Sequence, residues 1–258
     1  MSEAIGAVDE ARRYGGIVRL YGADGLARLR AARVAVAGIG GVGSWAVEAL
    51  ARSGVGALRL IDLDHVAESN MNRQIHALED TLGQAKVSAM AERIARIDPR
   101  TRVECVDDFV SEDNVATVLA GPLDYVIDAV DDVRAKAAMV AWCRRQGVAV
   151  ITLGAAGGQV DPTRIAVDDL ARTTQDPLLA KLRARLRRDH DFPRGVGKRF
   201  RVDAVYSTEP LQYPDAACAA DAGPQGLSCA GFGSSMAVTA TFGLTAAARV
   251  IGALAKGG

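Results

Sequence analysis

Seven polar residues stand just past two short apolar runs of this chain. Asp62, Asp64, Asn70, Arg73 and Lys86 follow ALRLI, and Asp128 and Asp131 follow YVI. An amide and two fixed cations, Arg73 and Lys86, beside a pair of carboxylates suit a polyanion. Hydride transfer gives no reason for two cations there, whereas charge developing on a triphosphate under attack does. A carboxylate at the C-terminal end of a buried strand is where Mg²⁺ on phosphate is held. Asp131 is the metal candidate, with Asp128 second to it. Any one of these residues alone reads as a solvated surface charge. At successive strand ends of one sheet they favour ATP chemistry over redox chemistry.

These side chains need a frame, and the stretch from Ala32 to Arg73 supplies its first part. Val34–Ala37 reads as a buried strand, Gly38, Gly40, Gly41 and Gly43 as a turn, and Trp45–Ala51 as an apolar helix. This is G-x-G-x-x-G between a strand and a helix, the context that gives the pattern meaning. Gly38 permits the tight turn, Gly40 lets backbone reach a phosphate, and Gly43 lets helix and strand pack closely. The helix start adds free N–H groups and a positive dipole end. Ala57–Ile61 is the next strand; it ends on Asp62, about 20 residues past the glycines, where a carboxylate meets ribose hydroxyls. A glycine turn with a purely structural role is the competing reading. The predicted nucleotide-binding set is Gly38, Gly40, Gly41, Gly43, Asp62, Asp64, Asn70, Arg73, Lys86 and Asp128. Arg73, Lys86 and Asp131 are the predicted participants in the chemistry.

Downstream, strands and helices alternate. Gly83–Ile97 is an amphipathic helix, with Val87, Met90, Ala91 and Ile94 at helical spacing. Lys86 falls in its first turn, where its charge opposes the helix dipole and calls for a nearby anion. Val103–Val106, Leu123–Ile127 and Val148–Thr152 read as strands, Ser111–Leu119 and Val133–Gln146 as helices. The alternation predicts an α/β fold: a doubly wound, Rossmann-like, mostly parallel sheet, with ligands at the carboxyl ends of its strands.

From Gly154 the texture changes to an antiparallel C-terminal extension. Gly158–Val160 and Arg164–Val167 are predicted to pair across a turn at Asp161-Pro162-Thr163. A helix over Leu178–Arg188 turns Leu178, Leu179, Leu182 and Leu186 inward. It opens a basic arm, about 178–201, in which nine Lys and Arg residues from Lys181 to Arg201 face Asp189 and Asp191. Val202–Ser207 is a further strand, Asp215–Ser228 a small-residue loop, and Ser235–Leu254 an apolar terminal helix. The chain reads as one unit over 1–258: an N-terminal arm and helix (1–31, the helix short and over Ala23–Ala31), a nucleotide-binding core (32–153) and this C-terminal part (154–258).

GIGGVGSWAVEALARSGVG, LIDLDHVAESNMNRQ, GQAK and DAVDD resemble the adenylation domain of the ubiquitin-activating, E1-like family, which includes molybdopterin- and thiamine-pathway adenylyltransferases. Within that family RRYGGIVRLYG, NRQIHAL, VDDFV, GGQVDPTRI, TQDPLLAKLR, VYSTEP and GFGSSMAVTATFG are similar to the branch that dehydrates threonylcarbamoyladenosine in tRNA. The likeness runs from Arg12 to Ala248. It implies ATP and Mg²⁺ as cofactors, admits a monovalent cation, and implies modified tRNA as substrate. It also implies a homodimer and contact with a cysteine desulfurase and its sulfur acceptor. In carrier-activating relatives an arginine near the N-terminus reaches the partner's ATP. Gly16 stands at that position here, leaving Arg13 or Arg19 to serve.

Composition agrees with a soluble enzyme of the cytoplasm. Basic and acidic residues number 31 each, so RNA must be bound by a local patch rather than by net charge. The cysteines Cys105, Cys143, Cys218 and Cys229 lack C-x-x-C spacing, so no zinc is expected. Cys229–Ala248 carries no charge and is long enough to cross a bilayer, but its small residues favour a buried or interface helix. Two other functions share the same nucleotide site: adenylation of the C-terminal glycine of a ubiquitin-like sulfur carrier, and non-catalytic nucleotide binding.

Overall fold

The computed structural model describes residues 9–195, 197–213 and 232–257. Seven strands make one sheet in the order β3-β2-β1-β4-β5-β7-β6. They are β1 (Arg33–Ala37), β2 (Ala57–Ile61), β3 (Arg102–Val106), β4 (Tyr125–Asp128), β5 (Ala149–Leu153), β6 (Ile165–Asp169) and β7 (Asp203–Ser207). All pairs are parallel except β6 with β7. Chain order reverses between β1 and β4, the switch point at which such sheets open a crevice.

Strand periodicity sorts side chains to two cores. Val34 and Val36 of β1 join one cluster, Ala35 and Ala37 the other. The first face is covered by α1 (Glu10–Ala31), α2 (Gly43–Arg52), α3 (Lys86–Ile97) and α7 (Met236–Lys256), the second by α4 (Val115–Val118), α5 (Val133–Gln146) and α6 (Pro177–Asp189). Leu50, Leu60, Met90 and Ile94 are wholly buried in the first, each contributing roughly 1.5–3 kcal/mol by leaving water. α7 is long and apolar enough to span a membrane, yet half of it is buried. It packs so tightly on α2 that a Cβ at Gly243 would lie 2.3 Å from Val42 O.

The strand and helix assignments of the core hold to within a few residues, with three corrections. Ser111–Leu119 is mostly turn: Ser111 Oγ and the Asn114 side chain bond each other, and only Val115–Val118 is helical. Gly158–Val160 is not a strand. Glu209 accepts from the Val160 and Asp161 amides, Pro162–Arg164 forms a 3₁₀ turn, and β6 finds its antiparallel partner in β7 instead. The N-terminal helix begins at Glu10, capped by Asp9, and kinks at Gly22 (φ +77°) before continuing to Ala31. The predicted loop Asp215–Ser228, with Cys218, and Cys229 lie outside the described residues.

α1 is fixed by a buried charge cluster. Asp98, at the C-terminal end of α3, accepts from Tyr14 Oη (2.8 Å), Arg30 Nη2 (2.5 Å) and Arg100 Nη2 (3.0 Å). Glu10 bonds both Arg30 and Arg100. These bonds hold the Asp98 carboxyl well below the usual carboxylate range against its burial, and burial pushes the Tyr14 phenol up to about 12.

Candidate nucleotide-binding site

The crevice at the carboxyl ends of β1, β2 and β4 holds a cavity of about 740 Å³. Gly38, Gly40, Gly41, Asp62, Asp64, Asn70, Arg73, Lys86 and Asp131 all line it. Gly38 has φ +85°, and a Cβ there would lie 2.8 Å from Ala129 O, so the turn requires glycine. Gly43 does not reach the cavity. Its role is packing, since a Cβ on it would sit 1.8 Å from Gly38 O. Around Gly40 the space is open, with Gln74 Nε2 at 3.9 Å from the Cβ position.

Asp62 ties strand to turn. Its Oδ2 accepts from the Ile39 amide at 2.6 Å and its Oδ1 from the Asp64 amide at 2.9 Å. Burial raises its pKa above the ordinary value, and Lys86 works against that rise. Lys86 begins α3, unfavourable for a cation, but its Nζ lies 2.6 Å from Asp64 Oδ2 and 3.9 Å from Asp62 Oδ1. α3 itself is locked to α2 by Arg93, whose Nε donates to the buried Glu48 at 2.7 Å. The cation and the glycine turn are therefore carried on one rigid pair of helices. Arg73 lies against Gly41, its Nη1 donating to Ser69 O at 2.7 Å. Asn70 is oriented at the cavity wall by its Oδ1, which accepts from the Ala67 amide at 3.1 Å.

Asp128 departs from the expected set. It is buried away from the cavity, with Lys136 Nζ at 3.1 Å from Oδ1 and Thr152 Oγ1 donating to Oδ2 at 2.6 Å. Burial pushes its pKa up while Lys136 opposes the shift. Its work is to anchor the turn that presents Asp131, which is followed by the α5 N-cap Asp132. Asp131 is exposed at the cavity wall.

Several lining groups escaped the sequence reading. Phe109 to Asp113 form a strap over one side, with Glu112 bonded to Arg185 of α6 at 2.6 Å. VDDFV was visible as a motif, but nothing in its pattern placed it over a crevice. Gln74 and Thr239 also line the cavity. Only tertiary packing brings α7 there.

His76 lies behind the site, buried, with neither ring nitrogen hydrogen-bonded among the described residues. Burial first, then Lys86 and Arg93, lowers its pKa to about 4. The unfolded chain then binds a proton that the folded chain refuses between pH about 6.5 and 4, so this group removes stability as pH falls through that window. His76→Phe is expected to flatten the acid side of the unfolding-midpoint profile there. An unchanged slope contradicts it.

A glycine turn, strand-end carboxylates, two cations and an exposed carboxylate, Asp131, at the switch point of an α/β sheet define the class of protein as one whose crevice suits a nucleotide. The chain belongs to the ThiF family, which it matches over residues 13–256. It is 50% identical over 248 residues to the tRNA threonylcarbamoyladenosine dehydratase of Haemophilus influenzae, covering 95% of this chain and 94% of that one. The Escherichia coli protein of that name is 52% identical, covering 93% and 92%. A solved structure of the E. coli dehydratase in complex with ATP superposes with a TM-score of 0.88 at 48% identity, covering 99% of this chain and 100% of that one. The family and branch that the sequence motifs resemble are borne out.

Proposed function

We propose that this enzyme uses ATP to dehydrate N6-threonylcarbamoyladenosine in tRNA, by adenylating its carboxylate. One observation carries the reading: the convergence of Asp62, Arg73, Lys86 and Asp131 on one cavity, in a chain that matches the named dehydratases over nearly its whole length. ATP lies over the glycine turn with its ribose on Asp62 and its phosphates toward Asn70, Arg73 and Lys86. A substrate carboxylate oxygen attacks the α-phosphorus. The new O–P bond forms as the bond to the bridging oxygen breaks, and pyrophosphate leaves with the electron pair. Arg73 and Lys86 are fixed before the charge develops, so they stabilise it without reorganising. An internal nucleophile of the threonylcarbamoyl group then attacks the activated carbonyl. The acyl C–O bond breaks, AMP carries the oxygen away, the nucleophile gives up its proton to solvent, and the substrate has lost the elements of water. The protein supplies mainly positioning and electrostatics.

Asp131 offers the hard oxygen donor that Mg²⁺ takes alongside phosphate and water. Bound there, the ion would neutralise phosphate charge. The core (32–153) carries the nucleotide, and the C-terminal part carries the RNA surface. On α6 and beyond, Arg183, Arg185 and Arg187 are engaged by Thr173, Glu112 and the Phe200 ring, whereas Lys181, Arg199 and Arg201 are exposed. The exposed set is the tRNA-phosphate patch. Lys181→Glu and Arg199→Glu are expected to weaken tRNA binding and each to reduce the salt slope by about one. Equal slopes by titration would remove the patch from the account. The homodimer, the cytoplasmic setting and the sulfur-transfer contact belong to the same reading. Arg13 lies 3.5 Å from Asp98, which leaves the exposed Arg19 the freer arginine to cross a dimer.

The discriminating test is AMP release from ATP, with modified tRNA or with a carrier protein ending in glycine. Release driven by tRNA supports the dehydratase; release driven only by the carrier selects adenylyl transfer to protein.

A further inference from the structure

The cavity holds two polar side chains that the nucleotide-binding set leaves unused. Gln74 is 5% exposed and Thr239 1%. Both line the cavity, and neither Gln74 Oε1 nor Thr239 Oγ1 has a hydrogen-bond partner among the described residues. Thr241, two residues on, takes the usual helical route and donates to Ala237 O at 2.7 Å. Thr239 does not. Leaving buried polar atoms without a partner is costly, so such atoms mark a place where a ligand completes the bonding.

The segments that carry the two side chains are tied to one another and to the helix that follows the glycine turn. Asn72 Nδ2 donates to Ser234 O at 3.0 Å, tying the loop that carries Gln74 to the chain just before α7. Trp45 Nε1 donates to Arg73 O at 2.9 Å, fixing that loop on α2. Gly243, one turn beyond Thr239, is pressed against Val42. Asp62, Asp64 and Lys86 form a separate bonded group where β2 ends and α3 begins.

We propose that Gln74 and Thr239 hold the threonyl end of the substrate beside the α-phosphate, an assignment that rests on the function inferred above. The attacking carboxylate must be oriented without losing its reactivity. A guanidinium or ammonium would stabilise its charge most in the ground state, which slows attack. Neutral donors orient it at less cost. Thr239 Oγ1 and Gln74 Nε2 donate to the carboxylate, and Gln74 Oε1 accepts from the threonyl hydroxyl, so every polar atom of the pair is satisfied. Arg73 and Lys86 remain free for the polyphosphate.

Thr239→Val keeps the shape and removes the hydroxyl; Gln74→Leu removes the amide; Thr239→Ser restores a hydroxyl. The readouts are ATP affinity by calorimetry and the kinetics of AMP release with modified tRNA. We expect ATP affinity within about twofold of wild type for all three, and kcat/KM for tRNA roughly 10- to 100-fold lower in Thr239→Val and Gln74→Leu, with Thr239→Ser near wild type. Retained ATP binding also shows that the variants fold. ATP affinity falling in step with turnover, or unchanged kcat/KM, would overturn the proposal. Wild-type protein that releases no AMP with modified tRNA would instead overturn the functional reading beneath it.

Discussion

Lys86→Ala is expected to slow AMP release by ~10²–10³-fold, the usual effect of deleting one preorganised group that stabilises transition-state charge. The geometry explains why solvent or a neighbour does not substitute. Lys86 is buried at the start of α3, pinned by Asp64 and Asp62 and by its own amide donating to Asp64 O at 3.0 Å. A cation there opposes the helix dipole, so the fold holds it at the cavity wall against local preference. Lys86→Arg is not a conservative rescue, because a planar fork does not fill the place of a compact ammonium between two carboxylates. Because the interaction strengthens in the transition state, kcat and kcat/KM fall together. Pre-steady-state AMP release checks this, and a rate within threefold of wild type contradicts it.

Asp98→Ala carries the largest expected stability effect. The Asp98 side chain is fully buried and takes hydrogen bonds from Tyr14, Arg30 and Arg100. Removing it leaves Arg30 partly buried and short of a partner, a change that costs about 3–5 kcal/mol, or roughly 10 °C in Tm for a chain of this size. The pH dependence has a definite sign. The folded carboxyl titrates below its unfolded value of about 3.8, so its contribution is complete above that pH and is lost as pH falls through the folded value. Wild type and Asp98→Ala should differ by the same amount at pH 5 and pH 7, and converge under stronger acid. Thermal melts across that range measure it; equal midpoints at pH 7 would contradict it.

How much of this was legible in the sequence depended on whether the deciding force was local. Ala57–Ile61 and Val133–Gln146 come out as predicted because each repeats apolar residues at its own period and stops at a clear signal. The inward leucines of α6 follow from the same spacing. The Asp161-Pro162 turn misled because a turn signal does not say which strand lies beside which. The partner of β6 comes from more than 30 residues downstream. Asp128 read like a ligand from its place at a strand end, but Lys136 from the following helix and Thr152 from the neighbouring strand close around it and turn it inward. Gln74 lies within a recognised motif, and Thr239 within an apolar helix. Their lack of partners is a property of packing that no pattern of residue types displays.

The most direct measurement uses purified protein, ATP, Mg²⁺ and tRNA bearing threonylcarbamoyladenosine, followed by nucleoside digestion and mass spectrometry. A nucleoside lighter by one water is expected, formed in step with AMP and lost in Arg73→Ala and Asp131→Ala. Wild-type protein that binds ATP yet leaves the nucleoside unchanged would contradict it.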